Sequence, residues 1–215
     1  KDSKISKFVT NKKKTLAVRF PSHPKAKGLL KILNYPLAAP SANISSRVSP
    51  VTKNHVKEEF GKKIKYIIEG GLSKIGLEST IINLTGKPEI LRIGSIDINK
   101  LSKALKKKLL YRKKTYMKVP GQNRLHYSPG IPLRMNCKEA SLDEAFILVK
   151  KRNNSNKNFF YLSKNKNLKE AARNLYSVLR MIKKKGYKKI AVEKIENKGI
   201  GLAINDRLQK ASSKK

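Results

Sequence analysis

Hydrophobic and polar positions in the first half of the chain switch repeatedly between strand-like and helix-like spacing. Residues 15–20 (TLAVRF) alternate roughly and predict a strand. Ser22 offers an N-cap, and Pro24 a first-turn position, for a helix running to about Asn34. A short apolar run at 36–39 stops in the loop Pro40-Ser41-Ala42-Asn43. Ser49 and Pro50 read as an N-cap and N1 pair that opens a helix through His55, Val56 and Phe60 to Gly61. Residues 64–68 predict a strand that Gly70-Gly71 ends. Residues 79–84 and 90–92 predict two more, joined by a turn at Thr85-Gly86-Lys87-Pro88. Asp97 is placed to cap a helix over about 98–110.

The texture changes near Tyr116. Residues 120–132 carry three prolines and two glycines, which excludes a helix or a central strand and predicts a linker or an ordered covering loop. Beyond it, residues 145–149 and 159–163 predict buried strands. Leu168, Ala171, Ala172, Leu175, Val178, Leu179 and Ile182 fall on one helical stripe that Gly186 terminates. Residues 189–192 predict the next strand and 202–211 a final helix. Strand, long helix and strand in that order make a βαβ unit, so a parallel sheet is expected. No internal repeat is present.

Length and composition allow one large domain or two small ones, and an apolar fraction of 39% is enough to build cores. No run is long enough to span a bilayer. The chain opens on Lys1 rather than Met with no apolar h-region after it, which suggests a shortened or processed chain rather than a signal peptide. The net charge of +37 admits two readings. A nucleic-acid surface is one, and solvated basic faces are the other, since the lysines spread along the whole chain with few aromatic residues among them. The single Cys137 excludes an internal disulfide and a multi-cysteine metal site, which fits a reducing cytoplasm.

Candidate chemistry is sparse. Ser41, Asn43 and Ser49 supply neutral donors suited to phosphate oxygens, at a loop between a predicted strand and a predicted helix, although Ser and Asn also serve as plain turn and cap residues. Arg19 and Arg92 stand at the ends of predicted strands, where a guanidinium can grip a carboxylate through two bonds or form a structural ion pair. Ser79 suits a hydrogen-bonding ligand better than a nucleophile, because His23, His55 and His126 lie in no triad-like or zinc-type setting. There is no P-loop.

The ordered motifs Thr15-Leu-Ala-Val-Arg19-Phe-Pro21-Ser-His23-Pro24, Ala39-Pro-Ser-Ala-Asn43, Ser49-Pro50 with His55-Val56, Gly76-Leu-Glu-Ser79-Thr80 and Ile90-Leu-Arg92-Ile-Gly94 resemble those of the YrdC-type threonylcarbamoyl-AMP synthases. His126-Tyr127-Ser128-Pro129 resembles the linker of the long, two-domain members, and Asn205-Asp206-Arg207 their closing signature. The resemblance implies an α/β chain. Residues 1–115 would be the C-terminal part of a twisted mixed-sheet catalytic domain, 116–135 a linker or lid, and 136–215 a small Rossmann-like parallel domain. It implies a nucleotidyltransferase that makes threonylcarbamoyl-AMP and pyrophosphate from L-threonine, bicarbonate and ATP, feeding the tRNA threonylcarbamoyl transferase machinery in the cytoplasm. Arg19, Ala39 and Ser79 would hold threonine. Thr15, Ser41, Asn43, Ser49, Arg92 and Tyr127 would contact ATP, with Mg²⁺ carried on the nucleotide rather than on protein ligands.

Three departures stand out. Ser46 occupies a position usually held by Gly, Val51 replaces Thr, and Ile93 replaces Pro; loss of that Gly predicts strain in a turn of positive φ. Nothing before Lys1 matches the N-terminal part of the family's catalytic domain, so the expectation is an incomplete site, inactive alone. Two other readings are a double-stranded RNA or tRNA-binding module without catalysis and a carbamoyltransferase accessory domain; the His-Tyr-Ser-Pro linker argues against the latter.

Overall fold

The computed structural model describes residues 5–10, 12–111, 119, 126–154 and 156–212. The predicted linker therefore lies partly outside the described residues, which resume at His126.

The first half is built around one small sheet. Strands β1 (Ile81–Asn83) and β2 (Glu89–Arg92) pair antiparallel across the expected turn, where the Asn83 carboxamide oxygen accepts from Thr85 N at 3.0 Å. Helix α1 (Pro24–Ile32) precedes them, as does α2 (Lys53–Phe60), which continues as a short 3₁₀ turn. After them comes α3 (Ile98–Leu105), capped by Asp97 as its side chain predicts; Asp97 accepts from Asn99 N and Lys100 N. β3 (Leu110–Tyr111) then joins β2 in parallel, so the order is β1-β2-β3 and the sheet is mixed. Its core is Ile90, Ile93 and Leu109, closed by Ala203 from the far end of the chain. Ile93 thus fills an apolar core where the family usually has a proline.

Several local expectations do not hold. Residues 15–20 and 64–68 form neither strand nor helix, and pair with no strand among the described residues. Val18, Phe20, Tyr66 and Ile68 stand exposed there; a segment without a ladder partner has no sheet face to bury. Ser22 does not cap α1, because His23 takes the N-cap position with Pro24 at N1. Ser49 does not cap α2 either. Its helix starts later, and Thr52 accepts from His55 N, leaving Ser49 for other work. Helix α3 ends at Leu105 because Lys106 adopts φ +50°, a left-handed stop.

The second half matches the predicted pattern. Strands β4 (Leu133–Cys137), β5 (Ala145–Lys150), β6 (Phe159–Ser163) and β7 (Ile190–Glu193) form an all-parallel sheet in the order β4-β7-β5-β6. β4 begins within the predicted linker, at Leu133, and ends in the predicted C-terminal domain. Helices α4 (Leu168–Lys184) and α5 (Ile200–Ser212) pack on one face, and the predicted stripe Ala171, Ala172, Leu175, Val178, Leu179 and Ile182 is buried. Gly186 follows α4 at φ +84°. Ala145, Ile147 and Val149 point into this helical face, whereas Phe146 and Leu148 meet Cys137 and Ala191 on the other, as strand alternation requires.

The halves share a seam. Val48, Val51 and Tyr127 belong to the same apolar cluster as α4, α5 and the parallel sheet. Val51, found where the family has Thr, is 6% exposed and packs there as an apolar plug. Gly76 makes the fit possible, for a Cβ at this φ +77° position would lie 2.5 Å from the Arg173 Cα of α4.

Candidate functional site

The open end of the β1–β2 hairpin brings Ser79 and Arg92 together. Arg92 is buried and turns back along the hairpin: Nε donates to the Ser79 carbonyl at 3.0 Å and Nη2 to the Ser79 Oγ at 3.1 Å. The planar fork is satisfied by two fixed acceptors on one residue, so both side chains are held in register. Gly94 permits the approach, since a Cβ there would meet Thr80 N at 2.3 Å. Burial pulls the Arg92 guanidinium below the ordinary arginine value. Glu78 and Tyr127 oppose that pull, while the positive charges of Arg207 and Arg19 add to it. Arg19 is exposed, yet its charge bears on Arg92.

The loop predicted to face phosphate is folded by Asn43. Its Nδ2 donates to the carbonyls of Ile44 at 2.8 Å and Arg47 at 3.2 Å, and its buried Oδ1 has no hydrogen-bond partner among the described residues. Ala39 and Ser41 are exposed and Thr15 half-buried; the Thr15 and Ser41 hydroxyls make no hydrogen bond among the described residues. At the end of this loop Ser46 sits at φ +67°, the conformation that its glycine counterpart adopts without strain, and its carbonyl accepts from Ser128 N at 2.9 Å. Arg47 and Ser128 form a parallel bridge, so the segment after the linker is stitched to the loop.

Beside Ser79 lies a residue without a role in the sequence reading. Glu78 accepts from Ser49 Oγ at 2.6 Å on one oxygen, and from Tyr176 OH at 3.0 Å and Arg207 Nε at 2.9 Å on the other. Ser49 therefore faces Glu78. Tyr176 comes from α4 and the fully buried Arg207 from α5, so the second half reaches into the site through one carboxylate. Burial works against the Glu78 charge, but Arg207 and the Ser49 hydrogen bond outweigh it and hold the carboxyl below its ordinary range. Burial likewise works against Arg207, and Glu78, the two tyrosines and Asp206 hold its charge on. Asp206 pairs with Arg207 Nη1 at 2.7 Å and with Lys210.

Tyr127 is fully buried at φ +61°, its ring stacked on Tyr176 at 5.8 Å and covered by the Arg207 guanidinium at 5.3 Å. Its hydroxyl has no hydrogen-bond partner among the described residues, and burial, then the Glu78 charge, pushes its pKa up to about 12. His126 packs edge-on against it at 4.3 Å. Of the residues named from the sequence, Ser79, Arg92, Ser49 and Tyr127 thus converge with Arg19 near by, while Glu78, Tyr176 and Arg207 were missed. The available signal for Glu78 was its rarity as an acid in so basic a chain, inside the run Gly76-Leu77-Glu78-Ser79-Thr80.

Chemically, the site offers a fixed guanidinium, further cations and neutral hydroxyls. Cys137 is buried in the parallel sheet, and among the described residues no group of three or more His, Cys, Asp or Glu could hold a metal ion. Such a set binds and neutralises carboxylate or phosphate oxygens. No helix among the described residues is long and apolar enough to cross a membrane.

Known proteins resemble the chain along nearly its whole length. Residues 1–94 match a family model described as "Telomere recombination", and residues 93–213 one described as "Threonylcarbamoyl-AMP synthase, C-terminal domain". The threonylcarbamoyl-AMP synthase of Pyrococcus abyssi is 34% identical over 99% of this chain and 68% of its own length; that of Schizosaccharomyces pombe is 34% identical over 97% and 60%. A crystal structure of P. abyssi Sua5 complexed with L-threonine superposes with a TM-score of 0.85 at 32% identity, covering 98% of this chain and 68% of that one. The chain thus spans roughly two-thirds of the length of these relatives.

Proposed function

The chain belongs to the threonylcarbamoyl-AMP synthase family, and on that premise we propose that it serves to make threonylcarbamoyl-AMP and pyrophosphate from L-threonine, bicarbonate and ATP. The observation that carries the proposal is the two-bond grip of buried Arg92 on Ser79, with the Arg19 charge beside it. The relative solved with L-threonine supports threonine as the substrate.

In this reading Arg19 clamps the threonine carboxylate, assisted by the Ser79 hydroxyl and the Ala39 backbone. The carboxylate oxygen of N-carboxythreonine attacks the α-phosphorus of ATP, and pyrophosphate leaves from the same phosphorus. Arg92 neutralises charge on the phosphoryl oxygens, aided by the Ser41 hydroxyl, Thr15 and the Asn43 loop, while Ser49, expected from the resemblance to contact ATP, gives its one proton to Glu78. Tyr127, expected from the resemblance to contact ATP, is fully buried here, and in this reading holds the linker against this wall. The protein supplies position and charge rather than a nucleophile, which accords with the residues present. Mg²⁺ enters as part of the nucleotide substrate. The adenylate then goes to a transferase that modifies tRNA, which sets the reaction in the cytoplasm.

The test uses the whole protein and its Arg19→Ala variant, measuring threonine-dependent pyrophosphate release. Arg19 is exposed, so the variant keeps its fold. A rise of roughly tenfold or more in the threonine KM is expected; an unchanged KM overturns the assignment.

A further inference from the structure

A second concave site lies on the opposite half, running from the carboxyl edge of the parallel sheet along the face that α4 and α5 leave uncovered. All four strands point the same way, so their carboxyl ends share one edge. From β5 the chain passes outward to β6, then returns through α4 to place β7 on the other side of β5. At such a reversal of strand order, connections leave in opposite directions and a crevice opens between the strand ends.

Here the opening is visible in the hydrogen bonds. The β5–β7 register ends at the pair Ile147↔Val192. Beyond it Val149 N donates to the Glu193 carboxylate at 2.9 Å. The other Glu193 oxygen holds Arg152 Nη2 at 2.9 Å, and the Arg152 guanidinium lies over the Phe146 ring at 5.8 Å. The result is an open groove of about 900 Å³.

Its lining is strongly biased. Lys150, Lys151, Arg152, Lys166 and Lys194 face a single lining carboxylate, Glu193, which is already engaged. Lys166 pairs with Glu196 at 2.9 Å, whereas Lys150, Lys151 and Lys194 have no salt-bridge partner among the described residues. Phe159, the first residue of β6, supplies an apolar ring at the far end of the groove, on the sheet face opposite α4 and α5, and packs edge-on against Phe146 at 5.8 Å. Nothing in the threonine and ATP chemistry uses this edge.

We propose that this crevice binds a nucleoside phosphate, with Lys150, Lys151, Lys194 and Arg152 on the phosphates and Phe159 against the base. The cations answer a multiply charged oxyanion. The volume suits a small ligand, and the aromatic wall suits a flat ring. A concave site with one pre-set guanidinium favours such a ligand over an RNA backbone, which asks for an extended basic stripe.

The test is residue-resolved amide NMR on the whole protein titrated with ADP, inorganic pyrophosphate and an RNA duplex in turn. ADP is expected to shift the amides of Val149, Arg152, Phe159 and Lys194, separately from any shifts at Ser79 and Arg92. Lys151→Glu with Lys194→Glu, both exposed and with side chains that make no hydrogen bond or ion pair among the described residues, is expected to weaken the crevice affinity by roughly tenfold or more. Three results overturn the proposal: no shift at the crevice with millimolar ADP, equal affinity for pyrophosphate, or displacement of ADP by RNA at lower concentration. Because the readout is local, failure here leaves the reaction at Ser79 and Arg92 unaffected, and the reverse holds too.

Discussion

Glu78 and Arg207, 129 positions apart in sequence, meet at 2.9 Å, and this contact joins the two halves of the molecule at the residue next to Ser79. The Arg207 side chain has no exposure and that of Glu78 little. Such a pair fixes geometry more than it adds stability, but breaking it strands a buried charge.

Glu78→Gln is therefore expected to destabilise the protein by about 3 kcal/mol, moderated by the remaining Asp206 contact. Denaturant unfolding measures this. Glu78→Gln combined with Arg207→Met is expected to recover most of the loss, because no unpaired charge remains. A double variant as unstable as the sum of its parts would contradict the pairing.

The pH dependence follows in sign. The folded state holds the Glu78 carboxyl below its ordinary value, so it binds that proton more weakly than the unfolded chain does. Its stabilising contribution is complete above about pH 5 and fades as pH falls through the folded value. Melting temperature measured from pH 7 to pH 3 is expected to fall less steeply in Glu78→Gln than in the parent.

Arg92→Lys retains the charge and removes the fork. A lysine reaches one of the two Ser79 acceptors, not both. Threonine-dependent pyrophosphate release is expected to fall by roughly tenfold or more, from one lost charge-assisted bond. Near-normal turnover would remove the grip from the mechanism.

Ser46→Gly restores a residue suited to φ +67°. Relief of the backbone strain is expected to add about 1 kcal/mol, or some 2–4 °C in melting temperature. A lower melting temperature would mean that glycine's extra freedom in the unfolded chain outweighs the strain.

The parallel α/β half was legible because its strands are apolar runs and α4 carries an unbroken stripe, signals local to each element. The hairpin of β1 and β2 was legible for the same reason, with its turn residues in place. Residues 15–20 and 64–68 misled because a strand needs a neighbour, and sequence shows propensity without showing the partner. Ser49 misled because an N-cap and a hydrogen-bond donor to Glu78 look alike until the fold brings α4 and α5 alongside. The same distance in sequence hid Glu78, whose partners Tyr176 and Arg207 lie on the two later helices.

Strand order also sets a timetable for synthesis. β4 leaves the ribosome well before β7, yet β7 is its only partner strand among the described residues. Arg207 follows later still, so Glu78 is made 129 residues ahead of its counter-ion. The hairpin carrying Ser79 and Arg92 emerges early, and Glu78 lacks its counter-ion until α5 docks. The half without the substrate grip thus acts as the final latch, and maturation of the site during translation waits on it.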